Sequence, residues 1–546
     1  MKSNTAGKQP FLNKQIFWTA LIPAVIFSLI CIFCGELRAN GSFAALSWTD
    51  LPLFLLWTAL FAAVLTVLFA LMNRQAQRCP KPENLFSRIV SNGFVVFLFL
   101  LACWVPVWLA FWPGHFSADS ITQFYSYYNE EHSSHHPLLH TLLLGFCMML
   151  GIDASPEGYA TNGLALYCGI QMVIVAACVA YAISWMKRRG VPVWVRLLVT
   201  LGFGLSPFFA PWTFYSQKDV IFGVLVLVFC LKLVDLWQFD WKWWRIASFI
   251  VIAVLMMLMR NNGVYALILL LPFAIWWMKG KRILVAILLV ACAGLYLAAN
   301  SGLTVLLDAE AGSKVEILST PLQQIARTLR DDPAAAEMDT EDVLGTLYWD
   351  VSIAECYDER ISDPVKWPVD YDLLDENIPG LLSLWARMLP AHFDTYVEAF
   401  LTQNLPYLLP GSDMYTSFDF TVEQPEWFPI EQTSYLPKLR ALYETYDETM
   451  TFAGIPGTGL LADPAVQVWL CIIGFAFAIY RKERGLMTAF VFLLAIWFTC
   501  LLGPVAIMRY LLGLYYTVPF LLGCLMIPRG ATATAAADET DDTSGL

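Results

Sequence analysis

Residues 138–151 read Leu-Leu-His-Thr-Leu-Leu-Leu-Gly-Phe-Cys-Met-Met-Leu-Gly. Whether this run crosses a membrane decides the topology of everything after it. Its 14 residues are apolar, but a helix needs ~20 to span a hydrocarbon core. An interfacial or re-entrant helix is therefore expected. The rest of the chain leaves no doubt about the solvent: 58% of the 546 residues are hydrophobic, against ~45–50% in soluble domains. Long apolar runs recur along the chain, where a membrane barrel would show short alternating segments. An all-α polytopic membrane protein is predicted.

Working outward, twelve spans are expected. Three precede the opening stretch, at about 16–34, 51–72 and 89–111. Next come 163–186, a span ending near Phe209, 220–236, spans ending at Met259 and before Lys279, and 283–300. The last three are 465–480, 487–502 and 510–527. With the N-terminus in the cytoplasm, the Lys/Arg clusters at 74–88, 187–189, 279–282 and 481–484 all fall inside, as the charge asymmetry of short loops requires. If 138–151 were a full span, Lys187-Arg188-Arg189 would lie outside. The expected organisation is 1–300, nine transmembrane helices with an outer loop at 112–162; 301–464, a large, mainly helical, acidic extracytoplasmic segment; 465–528, helices ten to twelve; and 529–546, a disordered cytoplasmic tail. The first span is read as an uncleaved anchor.

Net charge is −12, and most of the acid lies in 301–464, which disfavours nucleic acid as a partner. Nearly all of the 13 cysteines lie inside apolar spans, so they read as small buried hydrophobes rather than a disulfide framework. In 301–464, Thr320 is placed to cap a helix opening at Pro321, with Gln323 at capping-box distance. Residues 378–409 read as amphipathic helix broken at Pro390, and 405–436 as irregular loop.

The chemistry concentrates in 112–140, which has no Lys or Arg and carries five of the six histidines. Pro113-Gly114 makes a turn, and Ser120 with Gln123 has capping-box spacing. A helix is expected to start at 118–120, placing Asp119 where the dipole favours a carboxylate. Asp119 reads either as a cap or as a reacting group. His132, His135 and His136 have spacings that fit one helical face and would suit a metal or a phosphate, or simply an exposed polar loop. The outer loops otherwise hold isolated cations. Lys218 adjoins Asp219, Arg260 precedes Asn261, and Arg509 sits at the mouth of the last span. Each alone fits snorkelling or a local ion pair. Together they suit a lipid phosphate, whose charge must be paired where water is scarce.

In these blocks the chain resembles the GT-C superfamily of polytopic membrane glycosyltransferases, over roughly residues 90–525. Pro113-Gly114 … Asp119 … Gln123 … His136-Pro137 is similar to that superfamily's first large outer loop. Ser216-Gln217-Lys218-Asp219, Arg260-Asn261-Asn262-Gly263, Glu316 … Pro321-Leu322-Gln323-Gln324-Ile325-Ala326-Arg327 and Arg509-Tyr510 resemble blocks of a bacterial domain-of-unknown-function branch within or near it. The resemblance implies a GT-C-like fold in the bacterial cell membrane. It also implies transfer of a hexose or pentose from a polyprenyl-phosphate carrier to an envelope glycan, lipid or protein. Asp119 would be the catalytic base, or a carboxylate that positions acceptor or metal. Lys218, Arg260 and Arg509 would bind the donor phosphate, and Gln123, His136, Asp219, Asn261, Glu316, Gln324 and Arg327 would order the substrates. A divalent metal ion is the one cofactor left open. Two departures stand out: the loop follows the third span rather than the first, and the paired-acid signature of protein mannosyltransferases is absent. The rivals are a lipid-linked saccharide flippase or transporter, which would need polar residues at mid-membrane depth, an envelope glycan polymerase or ligase, and a non-catalytic envelope scaffold with the acidic segment as its binding surface.

Overall fold

The computed structural model describes residues 13–77, 84–116, 119–238, 241–278, 280–312, 314–337, 340–348, 350–412, 422, 427–447 and 458–527. The expected tail from 529, residues 413–421 and 423–426 of the expected irregular loop, and Ser117, Ala118 and Lys279 lie outside the described residues. Among the described residues the fold is all-helical, and extended pairing is limited to isolated bridges.

The elements that place the site are, in order, α1 (Lys14–Asn40), α2 (Leu51–Gln75), α3 (Gly93–Ala110), α4 (Asp119–Tyr128), α5 (Leu138–Asp153) and α6 (Thr161–Arg188). They continue with α7 (Val193–Leu205), α8 (Lys218–Gln238), α9 (Trp243–Met259), α10 (Asn262–Trp277) and α11 (Arg282–Leu306). The polar segment contributes α12 (Ser319–Asp331), α13 (Tyr371–Met388) and α14 (Phe393–Gln403). The chain closes with α15 (Pro464–Arg481), α16 (Arg484–Leu501) and α17 (Leu512–Cys524).

Among the described residues, eight helices are long and apolar enough to cross a membrane: α1, α2 with the turn before it, α3, α6, α8, α11, α15 and α16. The remaining four of the twelve expected spans form α7, α9, α10 and α17, of 13, 17, 16 and 13 residues. At 1.5 Å per residue these reach about 20–26 Å, short of a ~30 Å hydrocarbon core. α11 runs on to Leu306, six residues past the expected end of the membrane region.

Burial separates lining helices from the central one. α2 exposes Leu53, Leu56, Leu60, Val64 and Leu71, and α11 exposes Ile283, Ile287, Val290 and Leu297. Continuous apolar faces of this extent belong against lipid rather than water. α8 is the opposite case: every side chain from Asp219 to Leu231 is buried, enclosed by α6, α9, α16 and α17. An all-round apolar helix with β-branched residues is what such a position needs.

α5 is a 16-residue helix, about 24 Å long, as the reading of 138–151 expects. It lies against α6 where Gly151 meets Gly163, so close that a Cβ at Gly151 would collide with the Gly163 backbone.

The polar segment has its own core, in which α12 residues Leu322 and Ile325 meet Leu374, Leu381 and Leu384 of α13 and Tyr396 of α14. The break between α13 and α14 falls at Pro390, as expected. The expected cap does not form: α12 begins at Ser319, whose hydroxyl donates to Glu316 O at 2.8 Å, and Gln323 Nε2 donates to the Asp358 carbonyl. The cysteines form no disulfides among the described residues. Cys31 and Cys34 have the C-x-x-C spacing, but on α1 and as free thiols.

Candidate functional site

Two loops meet at one end of α8 and build the site. The first is 112–116, which follows α3. The second is 212–217, which precedes α8. His115 N donates to Phe214 O at 2.9 Å, and Ser216 N and Oγ both donate to His115 O, at 3.3 and 2.6 Å. The His115 ring stacks on Tyr215 with centroids 3.8 Å apart. Gly114 makes the turn possible. Its φ is +136°, and a Cβ there would lie 2.5 Å from Cys168 Sγ and 2.9 Å from Phe214 O. Only glycine meets both demands.

This pairing fixes α4. Ser120, expected to cap it, instead donates its hydroxyl to the Ser216 carbonyl. Gln123 reaches back to donate to Asp119 O at 3.0 Å. A buried chain of polar groups continues from there. Gln123 Oε1 lies 2.6 Å from His140 Nδ1, and His140 Nε2 lies 2.6 Å from the Tyr167 hydroxyl. That hydroxyl lies 2.9 Å from Gln171 Oε1, and Gln171 Nε2 donates to Tyr215 O at 2.7 Å. Because Gln123 Oε1 only accepts, the proton on His140 is assigned to Nδ1. The chain thus ties α4, α5 and α6 to the loop that delivers Lys218. His140, Tyr167 and Gln171 carry the geometry although no motif marks them, and Ser120 and Ser216 carry it in roles their motifs did not suggest. The one signal was a polar residue inside an otherwise apolar helix, as at Gln171.

The result is a compact ionic cluster. Lys218 Nζ is 2.7 Å from Asp119 Oδ2 and 3.0 Å from His136 Nδ1. Arg509, in a 3-10 turn between α16 and α17, has Nη2 at 3.5 Å from Asp119 Oδ1 and Nε at 3.9 Å from Asp219 Oδ2. Arg260, the residue after α9, pairs with Asp219 Oδ1. The guanidinium carbons of Arg260 and Arg509 lie over the Tyr510 ring, at 4.1 and 5.3 Å from its centre, a favourable stacking for desolvated cations. Asp219 is fully buried, and its Oδ2 accepts no hydrogen bond among the described residues.

Electrostatics follow from that layout. Burial opposes charge on Asp119, but Lys218 and Arg509 outweigh it and hold its carboxyl well below the usual carboxylate range. Burial, then the neighbouring Lys218 ammonium, pushes the His136 imidazole down to about 3, so it stays neutral and accepts from Lys218. Lys218, Arg260 and Arg509 against Asp119 and Asp219 leave one unit of positive charge. A net cation that is largely shielded from water calls for an anion.

Seven of the residues singled out from sequence thus meet: Asp119, Gln123, His136, Lys218, Asp219, Arg260 and Arg509. Asn261 adjoins them, but its Oδ1 accepts from Tyr296 at 2.8 Å. The other three are engaged in the polar segment. Glu316 pairs with Lys366 at 2.8 Å, and Gln324 donates to Tyr396 O at 3.0 Å. Arg327 pairs with Glu398 at 2.9 Å and donates to the Gly41 carbonyl. His132, His135 and His136 do not share a helical face, because 129–137 is irregular. Their loop instead docks on the start of the polar segment, where Ser134 N donates to Glu310 O at 2.8 Å and Glu310 N to His132 O at 2.9 Å. Among the described residues no group of three or more His, Cys, Asp or Glu side chains is arranged to hold a metal.

No curated protein and no solved structure matches the chain. A family model, DUF6020, described as a family of unknown function, matches residues 132–541. The match takes in His136, Lys218, Asp219, Arg260 and Arg509, and begins after Asp119 and Gln123. Covering three quarters of the sequence, it makes this chain a member of the DUF6020 family.

Proposed function

We propose that the protein is a GT-C-type membrane glycosyltransferase of about twelve transmembrane helices, set in the bacterial cell membrane with both termini cytoplasmic. It moves a sugar from a polyprenyl-phosphate carrier to an extracytoplasmic envelope acceptor. The observation that carries this reading is Asp119, bracketed by Lys218 and Arg509 in a cluster with one surplus positive charge. Every cation of the cluster stands at a helix end: Lys218 opens α8, Arg260 follows α9, and Arg509 precedes α17. A site at one membrane face suits a lipid phosphate with its sugar in water. It weighs against a transporter, which would carry its charges at mid-depth.

In this reading the donor phosphate takes Lys218 and Arg509 as partners, with Arg260 behind them. The sugar's anomeric carbon–oxygen bond breaks, and the bonding pair leaves on the phosphate, where the cations stabilise it. The acceptor hydroxyl oxygen bonds to the anomeric carbon and gives up its proton. Asp119, which is too acidic a group to take a proton while both cations hold it, gains basicity as they turn to the phosphate. His136 accepts from Lys218 and orients the ammonium. Gln123 fixes the first turn of α4, and so the direction in which the Asp119 carboxylate points.

The test uses purified full-length protein, a labelled polyprenyl-phosphate sugar and envelope extract as acceptor. Asp119→Asn is expected to lower transfer by ~10²-fold or more, the usual loss when a positioned proton acceptor is removed. Full transfer by that variant would sink the assignment.

A further inference from the structure

A polar cavity of about 190 Å³ lies where the end of α1 meets the polar segment. Its walls include Arg38, Glu359, Arg360, Gln403, Ser412 and Ala506. Arg38 is the last basic residue of α1, and Arg360 stands on the loop before Asp363. Neither forms an ion pair among the described residues, although the carboxylate of Glu359 is in the same wall. The Ser412 hydroxyl is shielded from solvent and has no hydrogen-bond partner among the described residues. Two guanidinium groups without an ion pair and a hydroxyl without a partner, all on residues that line one cavity, form a surface for a planar or tetrahedral oxyanion.

The chain links the cavity to the first site through residues 506–509. Ala506 lines the cavity, and Arg509 is three residues further along. At 3.8 Å per residue, the two Cα atoms are within about 11 Å of each other. The link is rigid: the Tyr407 hydroxyl donates to Ile507 O at 2.8 Å and accepts from Ile507 N at 3.0 Å. Gln403 Nε2 donates to Gly503 O at 2.8 Å.

We propose that this cavity binds the anionic group, phosphate or carboxylate, of the hydroxyl-bearing acceptor, holding that group on Arg38 and Arg360 while its hydroxyl reaches the Asp119 cluster. The acceptor role rests on the transferase reading; the anion site stands on the cavity alone. It makes the acceptor class an anionic lipid head group or an anionic glycan, rather than a neutral sugar.

Binding of radiolabelled inorganic phosphate to the full-length protein in detergent, by equilibrium dialysis, tests the site. The wild type is expected to hold two phosphates per chain. Arg38→Gln/Arg360→Gln is expected to hold one, and Lys218→Ala/Arg509→Ala the other one. Both arginines are exposed, so the first variant is expected to unfold at the wild-type temperature. Unchanged phosphate stoichiometry in Arg38→Gln/Arg360→Gln overturns the proposal. Repeating the measurement in phosphatidylcholine nanodiscs with and without phosphatidylglycerol separates the sources. Competition by phosphatidylglycerol assigns a lipid head group, and undiminished phosphate binding assigns a soluble or glycan-borne anion. In the transfer assay the same variant is expected to raise KM for acceptor about tenfold with kcat within about twofold, as for lost uniform binding. An unchanged KM overturns the acceptor role. Absent transfer by the wild type, with two phosphates still bound, sinks the transferase reading and leaves the anion site.

Discussion

Lys218→Met tests the heart of the cluster, because it keeps the aliphatic stem and removes only the ammonium. Two contacts go: 2.7 Å to Asp119 Oδ2 and 3.0 Å to His136 Nδ1. Breaking a fully buried ion pair by removing one partner costs about 3–5 kcal/mol, and a hydrogen bond to a charged group contributes about 1.5–3 kcal/mol. Here the Lys218 and Asp119 side chains keep 12% and 21% exposure. Arg509 also stays 3.5 Å from the other carboxylate oxygen. The loss is therefore placed near the lower figure, at about 2 kcal/mol. The assay is equilibrium unfolding by SDS titration from mixed micelles. It compares wild type, Lys218→Met, Asp119→Asn and the double variant. Charges that interact as the distances indicate give a coupling of about 1.5 kcal/mol or more, since Asp119→Asn removes most of what Lys218 was pairing with. Strict additivity, within about 0.5 kcal/mol, would refute the pairing.

Burial pushes His140 down to about 3 as well, with the same sign; the part of the pH dependence of stability that a loop substitution isolates follows from His136. Its folded value, about 3, is below the ordinary 6.5, so the unfolded chain takes the proton first. Stability is full above about 6.5 and declines as pH falls toward 3. Asp119, also depressed, adds a loss of the same sign below about 4. His136→Asn is expected to make the decline between pH 6 and 4, read in the same titration, shallower by about one proton; an unchanged slope contradicts the neutral imidazole. His140→Phe strips one partner each from Gln123 and Tyr167. It is expected to cost about 2 kcal/mol and to lower kcat more than the affinity for donor, since α4 shifts while the cations stay. An unaltered kcat would show that the chain does not position Asp119. Gly114→Ala forces a Cβ against Cys168 and Phe214 at a φ of +136°. A destabilisation of at least about 2 kcal/mol is expected in the SDS titration, and a near-neutral outcome would refute the tight loop pairing.

How much of this was legible depended on whether a residue's meaning is local. A lone Lys or Arg beside an apolar span must find a partner, so Lys218, Arg260 and Arg509 could be singled out one at a time. Their meeting with Asp119 could be guessed only because all four fall on one side of the charge map. The partners that fix them could not be read, because the contacts join residues far apart in sequence. Ser120 meets Ser216 across 96 positions, and Gln171 meets Tyr215 across 44. Ser120 also satisfied a local rule, the capping box, and the longer-range hydrogen bond overrode it. Glu316, Gln324 and Arg327 show the reverse failure. The family resemblance alone assigns them to the substrates. α12 turns them into the polar segment instead, where Lys366, Tyr396 and Glu398 engage them. The shorter helices α7, α9, α10 and α17 follow apolar composition correctly but stop early. Arg260 separates α9 from α10, and the 3-10 turn at Met508–Leu511 delays the start of α17, where charged groups enter the site.

The pairing of Asp119 and Asp219 with three cations has a consequence for how such a site rests between turnovers. Three cations held this close without counter-charge would repel and draw in any available anion. The two carboxylates supply the counter-charge from within the chain, but unequally. Asp219 is wholly buried at the root of α8 and bound to Arg260, so it stays in place. Asp119 is partly exposed, stands at the first residue of α4, and shares Lys218 and Arg509. It is the one carboxylate of the pair that an incoming phosphate can displace without unfolding a helix. On the proposed mechanism that displacement does two things at once. It gives the phosphate its partners, and it turns a carboxylate held well below its ordinary range into one able to take a proton. Donor binding and activation of the base are then the same event. A base that becomes competent only when donor is bound leaves the site inert toward hydroxyl groups that arrive without it.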